Sequence, residues 1–292
     1  MTRLPPARPV RYLDAHNHLQ DEWLQPYLEG VCTLLAALPL SRAVVNGTCE
    51  EDWPRVADLA ARHAWVQPSY GVHPWLVGGR SPQWRDALLA RLDRDPSAAL
   101  GEIGIDRWIL ERARPDDPRL AGLRRAPLEE QLDVFREQLQ IAAERDLPVS
   151  IHCLDAWGAL DETVSSAPLP ARGFLLHAYG GSLELMRRFA ARGAYFSFSG
   201  SFLGDQKPRQ QAVFREVPLD RLLVETDAPS MPLPPEWRTH KLPRGPGGMA
   251  LNHPANLEAV YAGLAALRGL PLEELSAAVE ANVRRLFGER KG

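Results

Sequence analysis

The fold class predicted for these 292 residues is α/β, a single (β/α)8 TIM barrel spanning 1–292, and three observations carry it. Apolar runs of strand length recur near 10–14, 42–47, 65–71, 98–103, 147–152, 173–178, 194–199 and 221–226. Between them lie stretches of helical period at 23–38, 52–63, 82–94, 128–145, 155–166, 182–192 and 208–216, with 254–268 and 272–287 after the last run. Such alternation implies parallel strands joined by crossover helices. Finally, five histidines and two acids stand at the C-terminal ends of these runs. In a barrel of parallel strands all such ends open onto one face, where barrel enzymes keep their chemistry.

The individual elements have local reasons. The helix from 128 shows the clearest period, with Leu128, Leu132, Phe135, Leu139 and Ala142 or Ala143 along one face. Ser81-Pro82 and Ser182 are expected to start helices. Gly173 and Gly193 are expected to end helices ahead of strands. No linker divides the chain and no repeat longer than the strand-helix unit is visible. Two insertions stand out: residues 107–126, with six arginines, after the fourth strand, and a Pro/Gly-rich excursion at 229–252 after the eighth. Both are expected on the active face.

Composition bounds the function. A formal charge of −3 argues against a general basic coat for nucleic acid, so any polyanion must be met locally. Cys32, Cys49 and Cys153 are scattered without C-x-x-C spacing, which fits reduced thiols rather than a disulfide framework or a thiolate zinc knuckle. Met1 to Val10 has no apolar stretch that could serve as a secretory signal. No segment approaches the ~20 apolar residues of a membrane span. A soluble cytoplasmic protein is the expectation.

The chemistry lies in the strand ends. In Asp14-Ala15-His16-Asn17-His18, residues two apart share a strand face, so His16 and His18 can hold one cation together. His73, Glu102, His152, His177 and Asp227 end later runs. A lone histidine at such a place is more often structural than ligating. Convergence in a barrel reverses that weighting for His16, His18, His152, His177, Glu102 and Asp227, a set of imidazoles and carboxylates suited to divalent ions. Six donors exceed what one catalytic ion with an open position needs, and suit two ions bridged by a carboxylate. Barrel order would put His16, His18 and Asp227 at one ion and His152 and His177 at the other, with Glu102 between. His63 falls at a helix end and is left as a surface residue.

Taken in order, the motifs Asp14-Ala-His16-Asn-His18, Gly71-Val-His73-Pro74, Gly101-Glu102-Ile-Gly104-Ile-Asp106, Pro148-Val-Ser-Ile-His152, His177-Ala-Tyr-Gly-Gly-Ser182 and Glu225-Thr-Asp227-Ala-Pro229 resemble the TatD family of metal-dependent deoxyribonucleases, within the wider amidohydrolase-like barrels. The resemblance covers nearly the whole chain. It implies two divalent ions (Zn, Mg or Mn) on His16, His18, Glu102, His152, His177 and Asp227, and DNA as substrate. It also implies a substrate-phosphate contact at His73, for which bracing of the Gly-x-His-Pro turn is the competing reading. Asp14 and Asp106 are candidates to orient ligand imidazoles, with turn capping the alternative for each.

The chain departs from the family pattern twice. Loop 107–126 interposes its arginines, expected to form a mobile lip on the substrate backbone or else a surface insertion whose arginines pair with nearby acids. Where the family tends to have Asn-Glu-Pro, this chain has Asn252-His253-Pro254. His253 must then brace the loop differently, or act as a pH-sensitive contact.

The expected activity is a metal-dependent phosphodiesterase on DNA ends or short single strands, with Asp227 orienting the attacking water and taking its proton. Hydrolysis of a carbon ester or amide is the nearest rival, as in a lactonase or an aminoacyl-tRNA deacylase. A carbamylated-lysine site is disfavoured, because Lys207, Lys241 and Lys291 are the only lysines and none ends a central strand. A non-catalytic, metal-stabilised scaffold would be expected to lack at least one of the six candidates.

Overall fold

The computed structural model describes residues 9–289, so most of the Met1–Val10 reading lies outside the described residues. Eight parallel strands follow one another in sequence order around a nearly closed (β/α)8 barrel. They are β1 (Tyr12–Asn17), β2 (Leu40–Asn46), β3 (Val66–Tyr70), β4 (Ala99–Asp106), β5 (Val149–Leu154), β6 (Phe174–Leu176), β7 (Ala194–Ser199) and β8 (Leu222–Glu225). The seam between β8 and β1 is stitched at its C-terminal end, where Asp227 N–H donates to the His16 carbonyl at 3.0 Å and His18 N–H to the Ala228 carbonyl at 2.8 Å. Those two bonds set Asp227 beside His16 and His18. The apolar strand residues form the core, and Val44, Leu100, Ile151, Phe174, Phe196 and Val224 are fully buried.

The helices are α1 (Leu28–Ala37), α2 (Trp53–Arg62), α3 (Trp84–Arg94), α4 (Trp108–Glu111), α5 (Leu128–Arg145), α6 (Trp157–Ser166), α7 (Leu183–Ala191), α8 (Pro208–Glu216), α9 (Leu257–Arg268) and α10 (Leu272–Phe287). Ser182 caps α7 as expected, its hydroxyl accepting from Leu185 N–H at 3.2 Å. Ser81 does not cap α3, which begins at Trp84; its hydroxyl instead donates to Glu50 at 2.6 Å and accepts from Gln83 N–H. Gly193, at φ 91°, follows α7 as expected, whereas Gly173 closes a turn by donating to the Pro170 carbonyl, well past the end of α6.

Helix α5 buries Phe135, Leu139 and Ala142 as its period predicts, and also Gln131 and Gln138. Neither glutamine is idle. Gln138 accepts from Val72 N–H at 2.7 Å and donates to the Val72 carbonyl, fixing the turn that carries His73. Gln131 accepts from Asp106 N–H at 2.8 Å. Buried polar groups require such partners.

Strand β4 runs past Glu102 to Asp106, so Glu102 stands within the strand rather than at its end. The register with β5 shifts between Leu100 and Ile103, and Gly104 passes so close to β5 that a Cβ there would lie 2.0 Å from the His152 carbonyl oxygen. Only glycine permits that approach, which brings Glu102 and His152 together.

His253 has replaced the family acid with an acceptor of its own. Its Nδ1 accepts the Ala255 N–H at 3.0 Å and caps the turn entering α9. Burial, aided by the facing His240, pushes its pKa down from 6.5 to about 4. The unfolded chain therefore takes up this proton first as pH falls, so stability should drop between about 6.5 and 4 and be fully present above that window. His253→Asn should keep the cap and flatten this part of the pH profile of thermal unfolding. His253→Ala should cost about 0.5–2 kcal/mol at neutral pH. An unchanged pH profile in His253→Asn would remove His253 as the titrating group.

Candidate metal centre

Glu102 is the hub of the cluster at the C-terminal mouth of the barrel, and its two oxygens face different partners. Oε2 lies 3.3 Å from His16 Nε2 and 3.1 Å from His18 Nε2. Oε1 lies 2.8 Å from His177 Nε2, 3.0 Å from His152 Nδ1 and 3.3 Å from His73 Nε2. Asp227 Oδ1 closes the first group, 3.5 Å from His18 Nε2 and 3.8 Å from His16 Nε2. Asp227 itself sits at φ 50°, a conformation unfavourable for a residue with a Cβ and characteristic of sites whose geometry is imposed by their surroundings.

The outer ring nitrogens of His18 and His152 are held by groups that only accept, and there the partner decides which nitrogen is free. His18 Nδ1 faces the Asn46 carbonyl at 2.8 Å; a carbonyl only accepts, so Nδ1 carries the proton and the Nε2 lone pair points into the cluster. His152 Nε2 pairs with Asp106 Oδ2 at 3.0 Å, which leaves its Nδ1 lone pair facing Glu102. His16 Nδ1 pairs with the Ser150 hydroxyl at 2.7 Å. His177 Nδ1 looks toward Glu225 Oε1 at 3.7 Å, and neither atom has a hydrogen-bond partner. The second carboxylate oxygen of Glu225 accepts a very short bond from the Ser197 hydroxyl.

This donor set fits divalent cations. Two pairs of imidazole nitrogens face each other, His16 with His18 at 3.2 Å and His152 with His177 at 3.3 Å, each pair on one oxygen of a buried carboxylate. Lone pairs converging in this way need positive charge between them. Burial works to raise the Glu102 and Asp227 carboxyls; protonated imidazoles facing them would hold both below the usual range, and a bound cation would supply the same positive charge.

His73 differs from the other four. Its Nδ1 accepts the Trp75 N–H at 3.2 Å, so the neutral ring carries its proton on Nε2 and presents a donor to the cluster rather than a lone pair. Asp106 takes the expected orienting position on His152. Asp14 does not reach an imidazole: its carboxylate accepts from the Thr226 N–H at 3.0 Å, the Thr226 hydroxyl at 2.6 Å and the His16 N–H at 3.3 Å. Asp14 thus ties the ends of β1 and β8 together through backbone, and burial pushes its pKa up to about 7. Ser150, Asn46 and Glu225 are the outer partners that sequence reasoning missed.

Within loop 107–126, Ile109, Leu120 and Ala126 are buried. Its arginines are largely paired, Arg112 with Asp155 at 3.3 Å, Arg114 with Asp116 at 3.7 Å, Arg119 with Asp117 at 2.6 Å and Arg124 with Glu130 at 2.8 Å. Arg107 faces Glu111 at 3.7 Å, and Arg125 donates to the carbonyls of Ile109 and Arg114. The local excess of positive charge expected from composition is therefore met in part by Asp155 and Glu130, which lie outside the loop. The loop meets the 229–252 excursion across a recess lined by Arg119, Met231 and Met249.

An eight-stranded parallel barrel with imidazoles and carboxylates converging at its C-terminal mouth defines a metal-dependent barrel hydrolase. The family of TatD related DNases matches residues 13–288, and the chain belongs to it. An Escherichia coli protein named as an uncharacterized metal-dependent hydrolase, YjjV, is 29% identical over 279 residues, covering 95% of this chain and 98% of that one. A Citrobacter koseri protein named as the 3'-5' ssDNA/RNA exonuclease TatD is 29% identical over 265 residues, covering 89% and 92%. The crystal structure of YjjV matches with a TM-score of 0.80 at 28% identity, covering 96% of this chain and 99% of that one. The chain is thus an enzyme of the TatD family of metal-dependent hydrolases. Among the described residues, no helix is long and apolar enough to cross a membrane.

Proposed function

We propose that this enzyme is a phosphodiesterase that trims DNA ends or short single strands, using two divalent ions bridged by Glu102. The observation that carries the two-ion reading is the division of Glu102, with Oε2 on His16 and His18 and Oε1 on His152 and His177. His16, His18 and Asp227 would hold one ion, and His152 and His177 the other. Divalent ions held by these residues would supply Lewis-acid polarisation of a phosphoryl oxygen and a water activated near neutral pH. The nucleic-acid reading is supported by relatives named as ssDNA/RNA exonucleases.

The chain's own groups have distinct tasks in this reading. Asp227, charged and only 9% exposed at its side chain, orients the attacking water and accepts its proton. His73 donates from Nε2 to a phosphate oxygen of the substrate, the role its tautomer suits. Asp106, Ser150 and the Asn46 carbonyl keep the ligand rings in the orientation that points a lone pair inward.

His73→Ala is accordingly expected to raise KM severalfold with a smaller effect on kcat. Unaltered KM would reduce His73 to a brace for its own turn. The substrate class is tested by a panel of single-stranded DNA, duplex DNA, RNA and aminoacyl-tRNA, each with and without added divalent metal. Metal-dependent shortening of single-stranded DNA is the expected result. Hydrolysis of the aminoacyl ester with every phosphodiester left intact would overturn the proposal.

A further inference from the structure

Resting on the nuclease reading, we propose that Trp75 and Trp108 form a stacking subsite for one unpaired nucleobase beside the His73 and His152 side of the metal centre. Two indoles lie together at the mouth of the barrel, neither of them fully buried. Their ring centroids are 5.9 Å apart and their planes differ by 25°, an offset stack of two indoles in nearly the same orientation. Trp75 follows the Gly71-Val-His73-Pro74 turn, and Trp108 opens the arginine-rich loop directly after β4.

The platform is joined to the metal centre by direct contacts. Trp75 Nε1–H donates to Asp106 Oδ2 at 2.5 Å, and the same oxygen pairs with His152 Nε2 at 3.0 Å. The Trp75 ring also meets the edge of His73 at 5.5 Å. A phosphate held at His73 would therefore have this aromatic surface within reach of its own or the adjoining nucleoside.

What already lies on the indoles indicates what they accept. The Arg119 guanidinium carbon sits 4.9 Å from the centre of Trp108 and 5.5 Å from that of Trp75, a flat group laid over the pair. Its side chain remains 35% exposed and is tethered to Asp117 through Nε at 2.9 Å and Nη2 at 2.6 Å. A nucleobase is also flat and polarisable, and aromatic stacking accepts any base because every base has a π-face. When a base takes the indole surface, Arg119 is displaced only to the rim, where it pairs with the phosphate of that nucleotide. A base inside a duplex is stacked on both faces and hydrogen-bonded at its edge, so apart from the outer face of a terminal pair the subsite favours unpaired strands.

The test uses two nuclease-resistant phosphorothioate hexamers of equal charge, one of thymidines and one abasic throughout. Binding to the metal-loaded enzyme is read by tryptophan fluorescence and by titration calorimetry. The thymidine chain should bind about 5- to 150-fold more tightly and quench the tryptophan emission. Trp108→Ala should remove most of that difference, Trp108→Phe should restore a good part of it, and binding of the abasic chain should change little in either variant. Equal affinity for the two chains, or binding of neither, overturns the subsite, and this comparison needs no variant to fold. An unmodified hexathymidylate run alongside separates the two readings. If it is cut while the two resistant chains bind alike, the nuclease reading stands and the stacking subsite falls. Tight, base-dependent binding without cutting would retain the subsite and sink the nuclease reading.

Discussion

Asp227→Asn is expected to lower kcat by about 10²- to 10⁴-fold, the usual contribution of a general base, while the concentration of substrate needed for half-saturation changes little. Burial works to raise the Asp227 carboxyl, and the hydrogen bond from His18 with the charges of His177 and His16 holds it below the usual range when those rings are protonated, a part that a bound cation would take over. The amide keeps the shape and the backbone bond from Asp227 N–H to His16 but cannot take up a proton. The phosphate contact at His73 is untouched, so kcat and kcat/KM should fall together. Steady-state kinetics on a short single strand would read this directly. A variant that lost affinity for substrate and kept its kcat would show Asp227 to be a binding residue instead.

Glu102→Gln carries the second large effect. Glu102 is 2% exposed and stands within 3.3 Å of five imidazole nitrogens, so its charge has no solvent to compensate for its loss. In Gln the carbonyl oxygen can serve one side of the cluster, while the amide N–H groups confront lone pairs on the other. Metal affinity should therefore fall at both positions, by more than the ~10–100-fold typical of changes in groups that merely support a ligand. Competition with a chelator of known affinity measures this. Weakening confined to one ion would mean that the carboxylate does not bridge.

The barrel was legible because strand and helix periods alternate along the chain on either side of the two insertions, and all eight apolar runs correspond to strands within a few residues. The ligand candidates were legible because spacing and strand ends place them on one face. What escaped was set by contacts distant in sequence. Gln131 and Gln138 sit on the apolar face of α5 and would be counted as interruptions of its period, yet they fix the backbone at Asp106 and Val72. Asp14 looked suited to orient an imidazole, but the β8 seam claims its carboxylate through Thr226. Ser81 lies three residues ahead of α3, and its N–H and hydroxyl both donate to Glu50, a partner 31 residues away.

Some missed residues did carry a signal. Ser150 precedes His152 by two on β5, the strand-face relation that linked His16 to His18, whereas Glu225 ends β8 and Asp227 lies past it at φ 50°. The strand-face rule draws attention to Ser150, and only nearness in sequence to Asp227 does so for Glu225. Loop 107–126 was harder to foresee, because counting charges within it ignores Asp155 and Glu130, which reach it from neighbouring segments.

A cluster that holds two ions joined by one carboxylate is read most directly from the metal stoichiometry of the purified protein after saturation and removal of excess ion. Elemental analysis should give two equivalents for the parent chain and one for the variant in which His16→Ala and His18→Ala are combined. One equivalent in the parent chain, or an unchanged content in the double variant, would contradict the site described here.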